Sequence, residues 1–253
     1  MRQERNRGII MSDKLEKWIK CFKVICCDVS ILATDRYIFY SLHKMISSNS
    51  DLHKPSYYYD YLSYTYGTYA QVAIRRQLKG NKFLSNGHIN PHYCKRNRNR
   101  NEISLARLLS EIHDTPEVLS KSYYISISKS PLLETTPICM ELRKKVLQKD
   151  FANLYGGHDK HIAPEMVMVD LIALSTMSSN IECFVDKRLA HRDTHELDHL
   201  PTYDEINGCI TLLDKLCCKY LGIFSAESYD TLEKNMQHNW TQIFTIPWIV
   251  KQD

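Results

Sequence analysis

Residues 164–191 read PEMVMVDLIALSTMSSNIECFVDKRLAH. Val167, Leu174, Met177, Ile181 and Phe184 recur at three- and four-residue steps, a period that lays apolar side chains along one face of a helix and that no strand can satisfy. Pro164 suits the first turn of such a helix, where its missing N–H costs nothing. Extended to a seam, the spacing is that of packed helices in a bundle. The same stripe reaches Arg188 and His191, where the period calls for apolar side chains. Each of these must therefore find a partner, a cavity or another chain.

Working outward, helical spacing recurs on both sides. Downstream, Thr202 with Glu205 forms a capping box for a final long helix through Ile206, Ile210, Leu213, Cys217 and Tyr220. A tail follows in which Trp240 and Trp248 are expected to pack on the bundle. Upstream, Pro131 and Pro137 bracket an irregular link, and residues 138–154 read as an amphipathic helix ending at Gly156 and Gly157. Ser104 caps a shorter helix through Leu105, Leu108, Leu109 and Ile112, closed near Pro116. Pro55 opens a tyrosine-rich helix that runs to Leu78 and stops at Lys79 and Gly80. An N-terminal pair is expected, one helix capped by Ser12 and running through Trp18, Phe22 and Ile25, the other from Tyr37 to Ile46. Strand-like alternation is confined to residues 123–128. The fold class that follows is all-α, an up-and-down helical bundle.

With 253 residues, 43% hydrophobic and 25% charged, the chain suits one large core. We expect a helical extension over 1–34 and a single helical domain over 35–253 with a basic loop insertion at about 81–101. No run approaches the ~20 apolar residues of a membrane helix, and the basic, polar start has no apolar signal core. The expectation is a cytoplasmic protein without a membrane partner. Nine cysteines, including the neighbours Cys26/Cys27 and Cys217/Cys218, suit reduced core thiols better than a disulfide framework. Cys183, Cys209 and Cys217 in particular sit among apolar helical residues, where packing is the expected role. The net charge of +4 is modest, but Lys82, Lys95, Arg96, Arg98 and Arg100 cluster with almost no acid between them. That stretch is either a solvated loop or a phosphate-contacting arm.

Tyr59, Leu62, Tyr66, Tyr69 and Ala73 form a second stripe that Arg76 continues, with Arg75 beside it. The tyrosines of residues 57–69 can stack on bases, though their helical spacing suits core packing for several of them. Arg76 and Arg188 have a structural alternative, pairing with Asp170 or Asp186, and His191 can be a satisfied core histidine.

Three segments resemble the HEPN superfamily of helical-bundle domains, and within it the AbiU-like branch linked to abortive infection and phage defence. They are Ile74-Arg75-Arg76-Gln77, Ile103-Ser104-Leu105-Ala106-Arg107-Leu108-Leu109 and Asp186-Lys187-Arg188-Leu189-Ala190-His191-Arg192-Asp193. Many HEPN domains are metal-independent endoribonucleases that dimerise to bring together, from each chain, a motif of an arginine, four to six intervening residues and a histidine. The resemblance implies a bundle with extra terminal helices, a homodimer, an RNA-directed toxin or defence effector without a cofactor, and an antitoxin or defence-system partner. It makes His191 the acid/base, puts Arg188, Arg75 or Arg76 at the phosphate, and gives Lys187, Arg192 and the basic loop to RNA binding. This chain has Val185 or Asp186 where the family arginine is expected, which fits a second implied role, a non-catalytic nucleic-acid- or protein-binding module. Arg188 with His195, Arg36 with His43, Arg107 with His113 and Arg192 with His199 also satisfy the spacing.

A remote alternative is zinc chemistry. His195-Glu196-Leu197-Asp198-His199 matches the pattern in which two histidines one turn apart hold zinc and the glutamate activates water. Asp198 is an unusual neighbour for the second ligand, and Pro201 would end any helix within two residues of His199, where the required helix should continue.

Overall fold

The computed structural model describes residues 2–50, 57–91, 93, 102–128, 136–156, 160–189, 199–236 and 239–246, with side chains from Met11 onward. Helix α1 spans Arg2–Ser47, α2 Tyr57–Leu78, α3 Leu105–Asp114 and α4 Lys121–Ile127. Helix α5 spans Pro137–Tyr155, α6 Pro164–Phe184 and α7 Tyr203–Ser225. A π-helical turn, Val185–Leu189, extends α6, and 3-10 turns lie at Pro116–Val118 and Trp240–Thr245. Among the described residues there is no strand beyond the isolated bridges Phe83–Ile89 and Ser120–His161. The chain is an all-α helical bundle.

Two expectations about local structure are corrected. The N-terminal pair is one helix, because residues 12–50 contain neither glycine nor proline and Val29, Leu32 and Ala33 carry the buried stripe across the expected gap. The expected domain boundary between residues 34 and 35 falls inside this helix, and its side chains from Trp18 to Ala33 belong to the same core cluster as those of α7. Residues 123–128 are largely helical rather than extended. Ser120 caps α4 by accepting the Tyr123 N–H, and buried Tyr124 packs on Phe151 and Tyr155 of α5 with ring centroids 5.6 and 5.7 Å apart. A short run with no partner strand satisfies its backbone locally, and a capped helical turn does so.

Most of the expected punctuation holds. Ser104 accepts the Arg107 N–H, Gly156 ends α5 in the left-handed region at φ 62°, and Thr202 and Glu205 make the capping box of α7. Pro55, Gly157, Pro131 and Trp248 lie outside the described residues. Trp240 is half-buried, edge-on to Tyr37 at 6.4 Å.

Helix α6 is central, packed against α2, α3 and α7. Val167, Leu171, Leu174 and Ile181 are buried while Met177 is exposed. By length and composition the α6 run to Leu189 is just long and apolar enough to cross a membrane, a test that a core helix also passes, and its charged and polar residues, Glu165, Asp170 and Ser175 among them, leave no run of about 20 apolar residues. Asp170 on this helix is buried and accepts hydrogen bonds from Lys219 Nζ at 2.6 Å and Tyr220 Oη at 2.8 Å, tying α6 to α7. Trp18 is 1% exposed and donates from Nε1 to Glu111 at 2.8 Å, locking α1 to α3. Beyond α7 the chain straps back: buried Asp214 accepts from Thr231 Oγ1 and the Leu232 N–H, and Ser30 donates to the Leu232 carbonyl. The cysteines divide. Cys209 and Cys217 are buried, as expected, whereas Cys27, Cys139 and Cys183 are exposed.

Candidate nucleic-acid interface

Helix α2 buries Tyr66, Ala70, Ile74, Gln77 and Leu78. That face is rotated from the stripe read in the sequence, and of the tyrosines between 57 and 69 only Tyr66 is fully buried, so most are not core. Tyr57, Tyr58, Tyr61 and Tyr64 are exposed, by 95%, 56%, 62% and 71%. At about 100° per residue, Tyr57, Tyr61, Tyr64 and Arg75 fall on one side of the helix within an arc of about 60°, and Lys79 follows on the turn just past its end. Aromatic rings at one end of a helical face thus lead to cations at the other.

At the cationic end, Arg75 is held by the end of α6. Its Nε and Nη2 donate to the two carboxylate oxygens of Asp186, each at 3.0 Å, and Nη1 lies 3.7 Å from Glu182. The widened π turn keeps Val185 buried while presenting Asp186 to this arginine. Lys187 is half-buried and Arg188 exposed on the same turn. Arg76, one residue on, points the other way: it is exposed and lies 3.8 Å from Asp28 of α1. The anticipated pairing of Arg76 with Asp170 or Asp186 is therefore corrected, since Asp186 takes Arg75 and Asp170 takes Lys219. Of the three arginines, Arg75 is held at the junction of α2 and α6, Arg188 lies exposed on the π turn that follows, and Arg76 points away.

Beside this junction, the end of α2, the start of α3 and α6 enclose a cleft of about 240 Å³ lined by Arg75, Lys79, Arg107, Ser178 and Glu182. Local chemistry shapes it. Gly80 turns the chain at φ 78°, and a Cβ there would stand 3.1 Å from Arg107 Cβ. Ser104 donates to the Lys79 carbonyl at 2.5 Å, joining the two helix ends. Asn81 donates to the Leu171 carbonyl at 2.9 Å and accepts the Phe83 N–H at 3.0 Å, fixing the outgoing loop to α6. Tyr93 and Glu102 also line the cleft. The stretch between them carries Lys95, Arg96, Arg98 and Arg100, which lie outside the described residues, but both points from which it departs are at the cleft rim.

Tyr93 is anchored by donating to Asp114 at 2.8 Å, in a cluster with Lys82 and His113 that the sequence did not single out as a unit. Burial and the Lys82 ammonium hold His113 below its ordinary pKa. Burial opposes charge on Asp114, yet the hydrogen bonds from Lys82 and Tyr93 outweigh it and keep the carboxyl below its usual range. Arg107 and His113, though correctly spaced, do not meet: Arg107 pairs with Glu111 at 3.3 Å, and His113 stands edge-on to Phe83. Arg36 and His43 also part, the first donating to Thr211 at 2.8 Å and the second bonding Tyr59.

His191, Arg192 and His195 lie outside the described residues. His199 is described and is not on a helix; its Nε2 is 3.0 Å from Glu205 in the capping box. The Thr202 N–H and the Asn180 amide, with His199, lower Glu205 to about 2. Among the described residues no group of three His, Cys, Asp or Glu side chains is arranged to hold a metal ion.

The fold and this region define a class: an all-α bundle with a mixed-charge cleft at the meeting of three helices and exposed tyrosines toward the other end of α2. Beyond that class, the chain matches no protein-family model, no curated protein and no solved structure.

Proposed function

We propose that this chain is a HEPN-like helical module that binds single-stranded RNA along the outer face of α2. The observation that carries the reading is the exposure of Tyr57, Tyr61 and Tyr64 on one face of α2, with Lys79 exposed on the turn that ends the helix. Stacking on exposed rings and neutralising phosphates are the two contributions by which proteins hold single strands without reading each base. Lys79 pairs with no carboxylate among the described residues, and the basic stretch departs from the cleft on both sides. The three segments resembling HEPN domains supply the rest: RNA as the target, a homodimer, and a place in phage defence beside an antitoxin or another defence component.

Binding without cleavage is favoured over ribonuclease action because Arg75 is clamped by two carboxylates and Asp186 stands near where a catalytic arginine is expected. A carboxylate there opposes a second negative charge at a phosphate. The cleaving alternative rests on Arg188, exposed on the π turn just before His191, since such turns recur at functional sites.

Fluorescence anisotropy with a labelled mixed-sequence RNA tests the reading. Tyr61→Ala/Tyr64→Ala should weaken binding by about tenfold or more, at about 1–3 kcal/mol per stacked base. Wild-type affinity in that variant and in Lys79→Gln would refute the α2 face. The same RNA incubated with wild type and His191→Ala in EDTA should stay intact; cleavage lost in the mutant, with cyclic phosphate ends, would establish the nuclease instead.

A further inference from the structure

Helices α4 and α5, the end of α7 and residues 226–229 line a larger, open cavity, of about 750 Å³, that shares no lining residue with the cleft. Its size is that of a small-molecule pocket. One part of the wall is apolar and aromatic, formed by Ile127, Leu147, Leu154 and Tyr155. Arg143, on the same face of α5 as Leu147 and Leu154, and Lys215 of α7 add two cations to the wall.

Arg143 is incompletely satisfied. Its Nη2 donates to the Ser128 carbonyl, but its Nε is buried with no hydrogen-bond partner, and so is Ser128 Oγ. The occluded Nε is not itself the contact point, but Arg143 lines the cavity and pairs with no carboxylate among the described residues, and a guanidinium whose charge is uncompensated at a cavity wall marks a place for an anion. Lys215 is exposed and pairs with no carboxylate among the described residues, whereas Lys219 is committed to Asp170 at 2.6 Å. Glu227, also on the wall, offsets part of the positive charge and disfavours polyanions. Tyr155 Oη donates to the Lys219 carbonyl at 3.4 Å, and a Cβ at Gly222 would collide with the Tyr155 hydroxyl, so only glycine leaves this floor intact.

We propose that this cavity binds a small amphiphilic monoanion, a carboxylate or an equivalent oxyanion on an apolar body, with the head group on Arg143 and Lys215 and the body against Leu147, Leu154 and Tyr155. Binding is non-covalent: burial and Asp214 push the neighbouring Cys218 thiol up to about 11, so it is protonated at neutral pH.

The test is calorimetry and thermal unfolding with decanoate, 1-decanol and AMP as probes. Decanoate should saturate the full-length protein and raise its Tm, and 1-decanol and AMP should each bind at least about tenfold more weakly, the first lacking the charge and the second the apolar body. Arg143→Gln should weaken decanoate about tenfold or more and Arg143→Lys less. Lys145→Gln, which removes an exposed charge from the same helix, should leave binding unchanged. RNA binding should be unaffected by Arg143→Gln, so failure here and failure of the RNA reading are separable. Should Arg143→Gln not fold, Lys215→Gln carries the test with a loss of about threefold. Decanoate that neither saturates nor raises the Tm, equal binding by 1-decanol or AMP, or wild-type affinity in the folded Arg143 variant would overturn the proposal.

Discussion

Arg75 and Arg76 are neighbours in sequence, and their fates differ because successive helical residues point about 100° apart. Arg75 meets Asp186 in a bidentate pair with its side chain largely covered, while Arg76 reaches only Asp28 with 59% of its side chain exposed. Arg75→Ala should therefore destabilise the protein by about 1 kcal/mol, and Arg76→Ala by less than about 0.5, because exposed single contacts contribute little. Urea unfolding of both variants checks the ranking; equal losses would mean that the α2–α6 junction is not pinned there. Either arginine could be read from the sequence as a candidate. Which one reaches α6 could not, because that depends on the rotation of α2 about its own axis.

At the scale of elements, caps and stops were legible because their chemistry is local. Thr202 and Glu205 bond each other's backbone within one turn, so Thr202→Ala should cost about 1 kcal/mol. Glu205 is lowered from 4.5 to about 2, so its ionised form is the one the folded state favours. Its contribution is complete above pH 4.5 and is lost as the pH falls toward 2. Thermal unfolding across that interval should show a shallower fall in Tm for Glu205→Gln than for wild type. Gly80 is a second local stop: with φ at 78° and Arg107 Cβ only 3.1 Å from a built Cβ, Gly80→Ala should cost about 1–2 kcal/mol in the same assay. The alternation in residues 123–128 was misleading, since period alone cannot say whether a partner strand exists.

For the whole molecule, one core joins α1 to α7, and Trp18 sits in it with its indole N–H on Glu111. Trp18→Ala should cost about 3–5 kcal/mol, through lost packing and an abandoned carboxylate, and lower denaturant midpoints in a single transition. Two separate transitions would instead divide the chain near residue 34. The all-α class, the helix starts at Pro164 and Tyr203, the stop at Gly80 and the clustering of basic residues were determined by the sequence alone, because periodicity, caps and local charge act over a turn or two of chain. Tertiary structure alone decided that Ser12 begins nothing new inside α1, that most α2 tyrosines face water, and that Cys183 is exposed. It also decided that Asp186 receives Arg75 and that Arg143 opens into a cavity. These depend on which face of each helix meets its neighbours and at what height, a balance of packing across residues far apart in sequence.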